Sequence, residues 1–170
     1  PYGAPQLDVP VCLNVNETPY PLDDDVADAI ARRVREVAPR PNRYPDRDHE
    51  TLRQAFCDYL ALESHTRLNV NQLWGANGSN EIMLQLFQAF GGPGRSALSA
   101  DPTYSMYPEY ARDTFTVWRT VHRRPDFSLD VDRLVEAMRE IGPSIVMLTS
   151  PNNPTGTVLS MTDLARVLAA

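Results

Sequence analysis

The chain has 170 residues, 42% of them hydrophobic and 22% charged, which is the composition of an ordinary globular protein long enough to build a core. Its net charge of -6 and the lack of a basic stripe argue against nucleic acid as a partner. No apolar run reaches the ~20 residues of a spanning helix and no signal peptide is visible, so we expect a cytoplasmic protein with no membrane partner. Its 2 cysteines and 3 histidines are too scattered to predict a metal site or a disulfide framework.

Lysine is absent from the sequence, in which all 16 basic residues are arginine. A mechanism that needs a lysine amine therefore cannot be completed by these residues alone. The sequence begins with Pro1 and stops at Ala170 inside a predicted helix. We therefore expect a fragment of a longer protein.

Two amphipathic helices are predicted in residues 1–70. Apolar residues recur at helical spacing from Val26 to Val37, and the prolines that follow end the pattern. A second helix follows Asp48, with its apolar residues on one face. This part of the sequence is rich in proline and contains no predicted strand, so it reads as an arm with a smaller packing layer.

From residue 73 onwards, helices alternate with strands. A strongly apolar helix opens at Ser79 and ends at the glycines and proline of residues 91–94. Strands are predicted over residues 96–100, 114–122 and 144–149. Further helices are predicted from the Asp101–Tyr104 stretch, over residues 130–139 and after the N-cap Ser160. This alternation predicts an α/β fold with a mainly parallel sheet flanked by helices.

The start of the apolar helix could bind an anion. Free backbone N–H groups and the helix dipole favour a phosphate there, Gly78 allows a close approach, and the Ser79 hydroxyl adds a donor. Considered alone, however, the stretch favours a simpler interpretation, with Ser79 as an N-cap and Glu81 as a first-turn acid. It matches neither the dinucleotide-binding motif nor the P-loop.

Two further segments follow predicted strands. Tyr104 could stack on a planar ring, although aromatic residues at such places more often belong to the core. The run from Thr149 to Gly156 carries two adjacent asparagines between prolines. An isolated Asn-Pro pair would indicate a turn, but open α/β sheets bind ligands at the carboxyl ends of their strands. An anion nest, an aromatic platform and an amide together suit a planar, phosphorylated cofactor.

These motifs, in their order along the chain, resemble those of the histidinol-phosphate aminotransferases, class II enzymes that use pyridoxal 5'-phosphate (PLP). The matching segments are Leu13–Glu17, Asn42–Asp46, Gly78–Glu81, Pro102–Tyr107 and Ser150–Gly156. The resemblance implies the aspartate-aminotransferase fold, a fold-type I PLP-dependent transferase with a truncated large domain. Residues 1–47 would form an N-terminal arm and small-domain segment, and residues 48–170 the first, incomplete part of the PLP-binding large domain.

The resemblance also implies a set of cofactor-binding residues. Ser79, Asn80 and Glu81 would hold the cofactor phosphate at the start of a helix. Tyr104 would stack on the pyridine ring, and Asn153 would hydrogen-bond its phenolic oxygen, held in the ring plane by the flanking prolines.

Other implied residues concern the partner subunit and the substrate. Tyr44 of the partner subunit would reach the cofactor phosphate across a homodimer interface. Tyr2, Asn16 and Glu17 would line the substrate pocket. No catalytic residue is assigned in this chain, because the family's Schiff-base lysine, its aspartate at the pyridine nitrogen and its binding arginines lie further downstream.

The parent enzyme implied by the resemblance belongs to histidine biosynthesis. It would exchange the amino group between histidinol phosphate and 2-oxoglutarate, giving imidazole-acetol phosphate and glutamate, so its partners would be a small-molecule amino donor and a 2-oxo acid acceptor. The 170 residues alone are expected to be inactive. Two alternatives stay open: an aromatic-amino-acid aminotransferase, which shares the motifs, and a non-catalytic, lysine-free binding or dimerisation module of the PLP fold.

Overall fold

The computed structural model describes residues 7–11 and 17–170, which divide after Gly75 into two compact units. The first unit contains helices α1 (Asp24–Val37) and α2 (Glu50–Glu63) and a short 3-10 helix (Val70–Gln72). Both helices predicted for this part of the sequence are thereby confirmed. Within the described ranges, no helix has the combined length and hydropathy that crossing a membrane requires.

The second unit alternates helices with strands, as predicted. Its helices are α3 (Ser79–Phe90), α4 (Tyr107–Asp113), α5 (Val131–Ile141) and α6 (Met161–Leu168). Its strands are β1 (Ser96–Asp101), β2 (Val117–His122) and β3 (Ile145–Met147). They form a parallel sheet in the order β2-β1-β3, so all three carboxyl ends lie at one edge. The predicted α/β class and its parallel sheet are confirmed.

Strand β1 is the centre of this unit. Its residues 97–100 are all buried, as expected for a parallel strand covered on both faces. Leu98 and Ala100 pack with residues of α5 and α6, including Leu134 and Val167. Ala97 packs on the other face with residues of α3 and α4. The segments that leave the sheet at its carboxyl edge therefore start from a core that is packed on two sides.

Several predicted boundaries were wrong. Strand β3 ends at Met147 rather than at Thr149, and two larger differences concern α4 and β2. Helix α4 begins at Tyr107 rather than within the Asp101–Tyr104 stretch. Strand β2 begins at Val117 rather than at Thr114, because the Thr114 hydroxyl donates to the Tyr110 carbonyl (2.8 Å) and Phe115 takes a left-handed φ of 57°. Residues 114–115 therefore form the turn that ends α4, although their β-branched and aromatic side chains favour strands.

Ser99 joins the central strand to the short strand β3. It is 1% exposed, and its hydroxyl donates to the carbonyl of Met147 at 2.8 Å. Met147 is the last residue of β3, which has only 3 residues. The bond therefore fixes the point at which the chain leaves β3.

Replacing Ser99 with alanine should lower the free energy of unfolding by about 1–2 kcal/mol, because a buried carbonyl loses its side-chain donor. Urea denaturation of the wild-type and variant proteins measures the difference. The control is Ser105→Ala at an exposed serine, which should change the free energy by less than about 0.5 kcal/mol. Equal effects of the two substitutions would contradict the role given to Ser99.

Candidate functional site

The loop after β3 is built around the buried side chain of Asn152, which is 2% exposed. Its Nδ2 donates to the carbonyl of Pro102 (3.1 Å) and to Thr155 Oγ1 (2.8 Å). Its Oδ1 accepts from the hydroxyls of Thr103 (3.1 Å) and Thr149 (3.3 Å). These bonds use both donors and both lone pairs of a primary amide. The loops that leave β1 and β3 are thus joined through one side chain.

Asn153, the next residue, is exposed. The backbone on either side of it is fixed, because the N–H of Asn152 donates to the carbonyl of Thr157 (2.8 Å) and the N–H of Gly156 donates to that of Asn152 (2.7 Å). Because the side chain of Asn152 is buried and hydrogen-bonded, Asn153 lies at the surface of a loop whose backbone is held at both ends. Sequence reasoning selected Asn153 and missed the structural role of Asn152, for which the hydroxyl residues on either side were the available signal.

Arg123, just past β2, connects the loop after β2 to the loop after β1. Its Nε donates to the carbonyl of Pro102 (3.1 Å) and its Nη1 to that of Phe127 (3.2 Å). Burial lowers the pKa of Arg123 from its ordinary value, but a guanidinium remains charged at neutral pH. The Pro102 carbonyl therefore accepts from Arg123 and from Asn152. Nothing in the sequence around Arg123 indicated this contact.

The start of α3 has the backbone needed to approach an anion. Gly78 has a φ of 81°, a left-handed value that glycine adopts without strain, and Ser79 and Asn80 after it are exposed. The Glu81 carboxylate accepts from the N–H of Asn77 (2.5 Å) and so closes the turn before the helix. A carboxylate has no hydrogen to donate to a phosphate, so this contact supports a structural part for Glu81 in the turn.

Tyr104 connects the loop after β1 to the start of α3. It is half-buried and stands edge-on to Tyr107, with the ring centroids 5.5 Å apart. Its hydroxyl lies 3.4 Å from Asn80 Oδ1. Together with the bonds of Asn152, this contact links the three segments that carry the predicted cofactor residues Asn80, Tyr104 and Asn153.

The remaining predicted site residues all precede Gly75 in the sequence. Tyr44 is fully exposed on the segment between α1 and α2, and Glu17 is exposed as well. Tyr2 and Asn16 lie outside the described residues. Their predicted roles toward the cofactor of the partner subunit and the substrate stay predictions.

The two adjacent asparagines should respond differently to the same substitution. Asn152→Asp removes two buried donors and sets a carboxylate against the Pro102 carbonyl, so the free energy of unfolding should fall by about 2–4 kcal/mol. Asn153→Asp, the matched control on an exposed residue, should change it by less than about 0.5 kcal/mol. Chemical denaturation of both variants at neutral pH measures the contrast, and a larger loss for Asn153→Asp would contradict it.

Comparison with known proteins defines the class. The family model for aminotransferases of class I and II matches residues 9–170. The structure is similar to that of histidinol-phosphate aminotransferase from Sinorhizobium meliloti in complex with pyridoxal-5'-phosphate, with a TM-score of 0.70 at 17% identity over 83% of this chain and 36% of that one. The chain belongs to the class I and II aminotransferase family.

Two bacterial relatives match over the whole chain. The histidinol-phosphate aminotransferase of Bifidobacterium longum is 74% identical over 170 residues, and that of Bifidobacterium adolescentis is 67% identical over the same length. In each case all of this chain is covered but only 44% of the relative, so the chain spans less than half of their length.

Proposed function

We propose that the full-length protein is a PLP-dependent histidinol-phosphate aminotransferase of histidine biosynthesis that acts in the cytoplasm. The proposal is carried by the junction around Asn152, which holds the exposed Asn153 and the loop of Tyr104 at the same edge of the sheet. The 74% identity to the Bifidobacterium longum enzyme over all 170 residues supports histidinol phosphate as the substrate.

The chemistry of the donor set fits PLP. An exposed helix start with free N–H groups and the hydroxyl of Ser79 suits the phosphate. The half-buried ring of Tyr104 offers an aromatic face, and the Asn153 amide offers an N–H to a ring oxygen. These groups occupy segments that hydrogen bonds already connect, so binding would not need to order them separately.

When bound, PLP supplies the electron sink for the carbanion that forms when an amino group is transferred. The residues of this chain would bind and orient it. The first turn of α3 and the side chains of Ser79 and Asn80 would hold the phosphate, Tyr104 would cover one face of the ring, and Asn153 would fix the ring's rotation. Glu81 would support the turn from behind through its bond to Asn77.

Assembly of the site would involve a second subunit. Tyr44 of the partner subunit would contact the phosphate in a homodimer, and Tyr2, Asn16 and Glu17 would line the substrate pocket. The chain contains no lysine, so the proton-transferring amine of an aminotransferase would come from beyond Ala170.

The substrate can be tested with the purified full-length protein and 2-oxoglutarate as acceptor. We expect kcat/KM for histidinol phosphate to exceed that for phenylalanine and tyrosine by about 100-fold or more. A site that hydrogen-bonds the phosphate of its substrate is left with unpaired polar groups when it binds an amino acid that lacks a phosphate. Equal or higher kcat/KM for the aromatic amino acids would assign the protein to the aromatic-amino-acid aminotransferases instead. Absence of transamination with every donor would favour a non-catalytic module.

The role of Tyr44 can be tested by removing its hydroxyl alone. Tyr44→Phe in the full-length protein should weaken PLP retention about 10-fold, the loss expected for one hydrogen bond to a charged group. Because the side chain is fully exposed, the melting temperature of the cofactor-free protein should not change. The control is Tyr20→Phe at another exposed tyrosine, which should alter neither quantity. Unchanged PLP affinity in Tyr44→Phe would remove Tyr44 from the site.

A further inference from the structure

Tyr110 in α4 is a core residue whose hydroxyl reaches the predicted phosphate site. It is 5% exposed and packs in an apolar cluster with Phe87, at a ring-centroid distance of 6.0 Å, and with Ala97 and Ala111. Its hydroxyl donates to Asn80 Oδ1 at 2.7 Å, across a sequence separation of 30 residues. The ring thus belongs to the core, and only the hydroxyl contacts the start of α3.

The amide oxygen of Asn80 can only accept, so the hydroxyl of Tyr110 must be the donor in this hydrogen bond. Burial raises the pKa of Tyr110 above its ordinary value, and the neighbouring Tyr104 and Tyr107 raise it further. The hydroxyl is therefore neutral at physiological pH and can donate. The hydroxyl of Tyr104 contacts the same oxygen of Asn80 at the longer distance of 3.4 Å.

The orientation of the Asn80 amide follows from these contacts. A primary amide carries its acceptor and its two donors on opposite sides. Because Oδ1 faces the two tyrosine hydroxyls, Nδ2 is directed away from them. Asn80 is exposed and lies in the first turn of α3, so its two N–H groups are free to face a ligand at the helix start.

We infer that Tyr110 is a positioning residue for phosphate binding, which acts by holding the Asn80 amide with its N–H groups turned toward the anion at the start of α3. The inference rests on the proposed function, because the anion is the phosphate of PLP. Without the Tyr110 hydroxyl, the Asn80 amide could rotate and turn its oxygen toward the phosphate, which that oxygen repels. Phosphate binding would then have to restrict the rotation of the amide first. Phenylalanine would fill the same space in the core, so the hydroxyl is the part of Tyr110 that packing does not explain.

The test compares two ligands that differ by the phosphate. Dissociation constants of PLP and of pyridoxal are measured by equilibrium dialysis with the cofactor-free full-length protein. In Tyr110→Phe the affinity for PLP should fall about three- to tenfold, the effect of one hydrogen bond, and the affinity for pyridoxal should not change. The matched control is Tyr107→Phe, which removes the hydroxyl of another buried tyrosine of α4 and should change neither constant.

A double substitution tests whether Tyr110 acts through Asn80. In an Asn80→Ala protein, adding Tyr110→Phe should cause no further loss of PLP affinity, whereas independent effects would add. Equal weakening of PLP and pyridoxal binding in Tyr110→Phe, or unchanged binding of both, would overturn the inference. If the wild-type protein binds PLP no better than pyridoxal, the proposed function fails and the inference fails with it. If PLP binds better but Tyr110→Phe has no effect, only the inference fails.

Discussion

The hydrogen bonding of one buried amide determines how the candidate site is arranged. Asn152 is satisfied only when Pro102 and Thr103 from one loop and Thr149 and Thr155 from its own loop are all in place. Each hydrogen bond that a buried amide fails to make costs about 1–3 kcal/mol of folding free energy. Intermediate arrangements of the two loops are therefore disfavoured, and the loops after β1 and β3 are fixed relative to each other.

The packing of the sheet makes this arrangement possible. Strand β1 is buried on both faces, and β3 is held beside it by the backbone ladder and by the hydroxyl of Ser99. The loops that carry the polar groups at the carboxyl edge therefore start at strand ends whose positions are fixed. On one face of the sheet, the apolar cluster that contains Phe87 and Tyr110 also fixes the start of α3, because the Tyr110 hydroxyl bonds to Asn80.

Much of the fold could be predicted from the sequence, because periodicity and capping are local properties. The apolar spacing in α1, the glycines after α3 and the Ser160 cap of α6, whose hydroxyl accepts from the N–H of Asp163 (3.0 Å), all act within a few residues. Strand-forming composition failed at Thr114, because a side-chain bond to the preceding helix outweighed propensity there.

The candidate site could be predicted only in part. The rule that ligands bind at the carboxyl ends of parallel strands points to Tyr104 and Asn153, the free N–H groups of a helix start point to Ser79, and the family resemblance supports all three. The residues that hold them were missed, because their contacts cross long stretches of sequence. Asn152 bonds to a residue 50 positions away, and Arg123 to one 21 positions away. Such tertiary contacts have no local signature, and Asn152 and Asn153 look equivalent until one is buried.

The most direct measurement is a crystal structure of the full-length protein with PLP. If Asn152 holds the loop and Asn153 binds the cofactor, Asn153 should lie within hydrogen-bond distance of the phenolic oxygen of the pyridine ring. Asn152 should keep its bonds to Pro102 and Thr155 in the same crystal. An Asn152 amide turned toward the cofactor, with Asn153 left in solvent, would contradict the account.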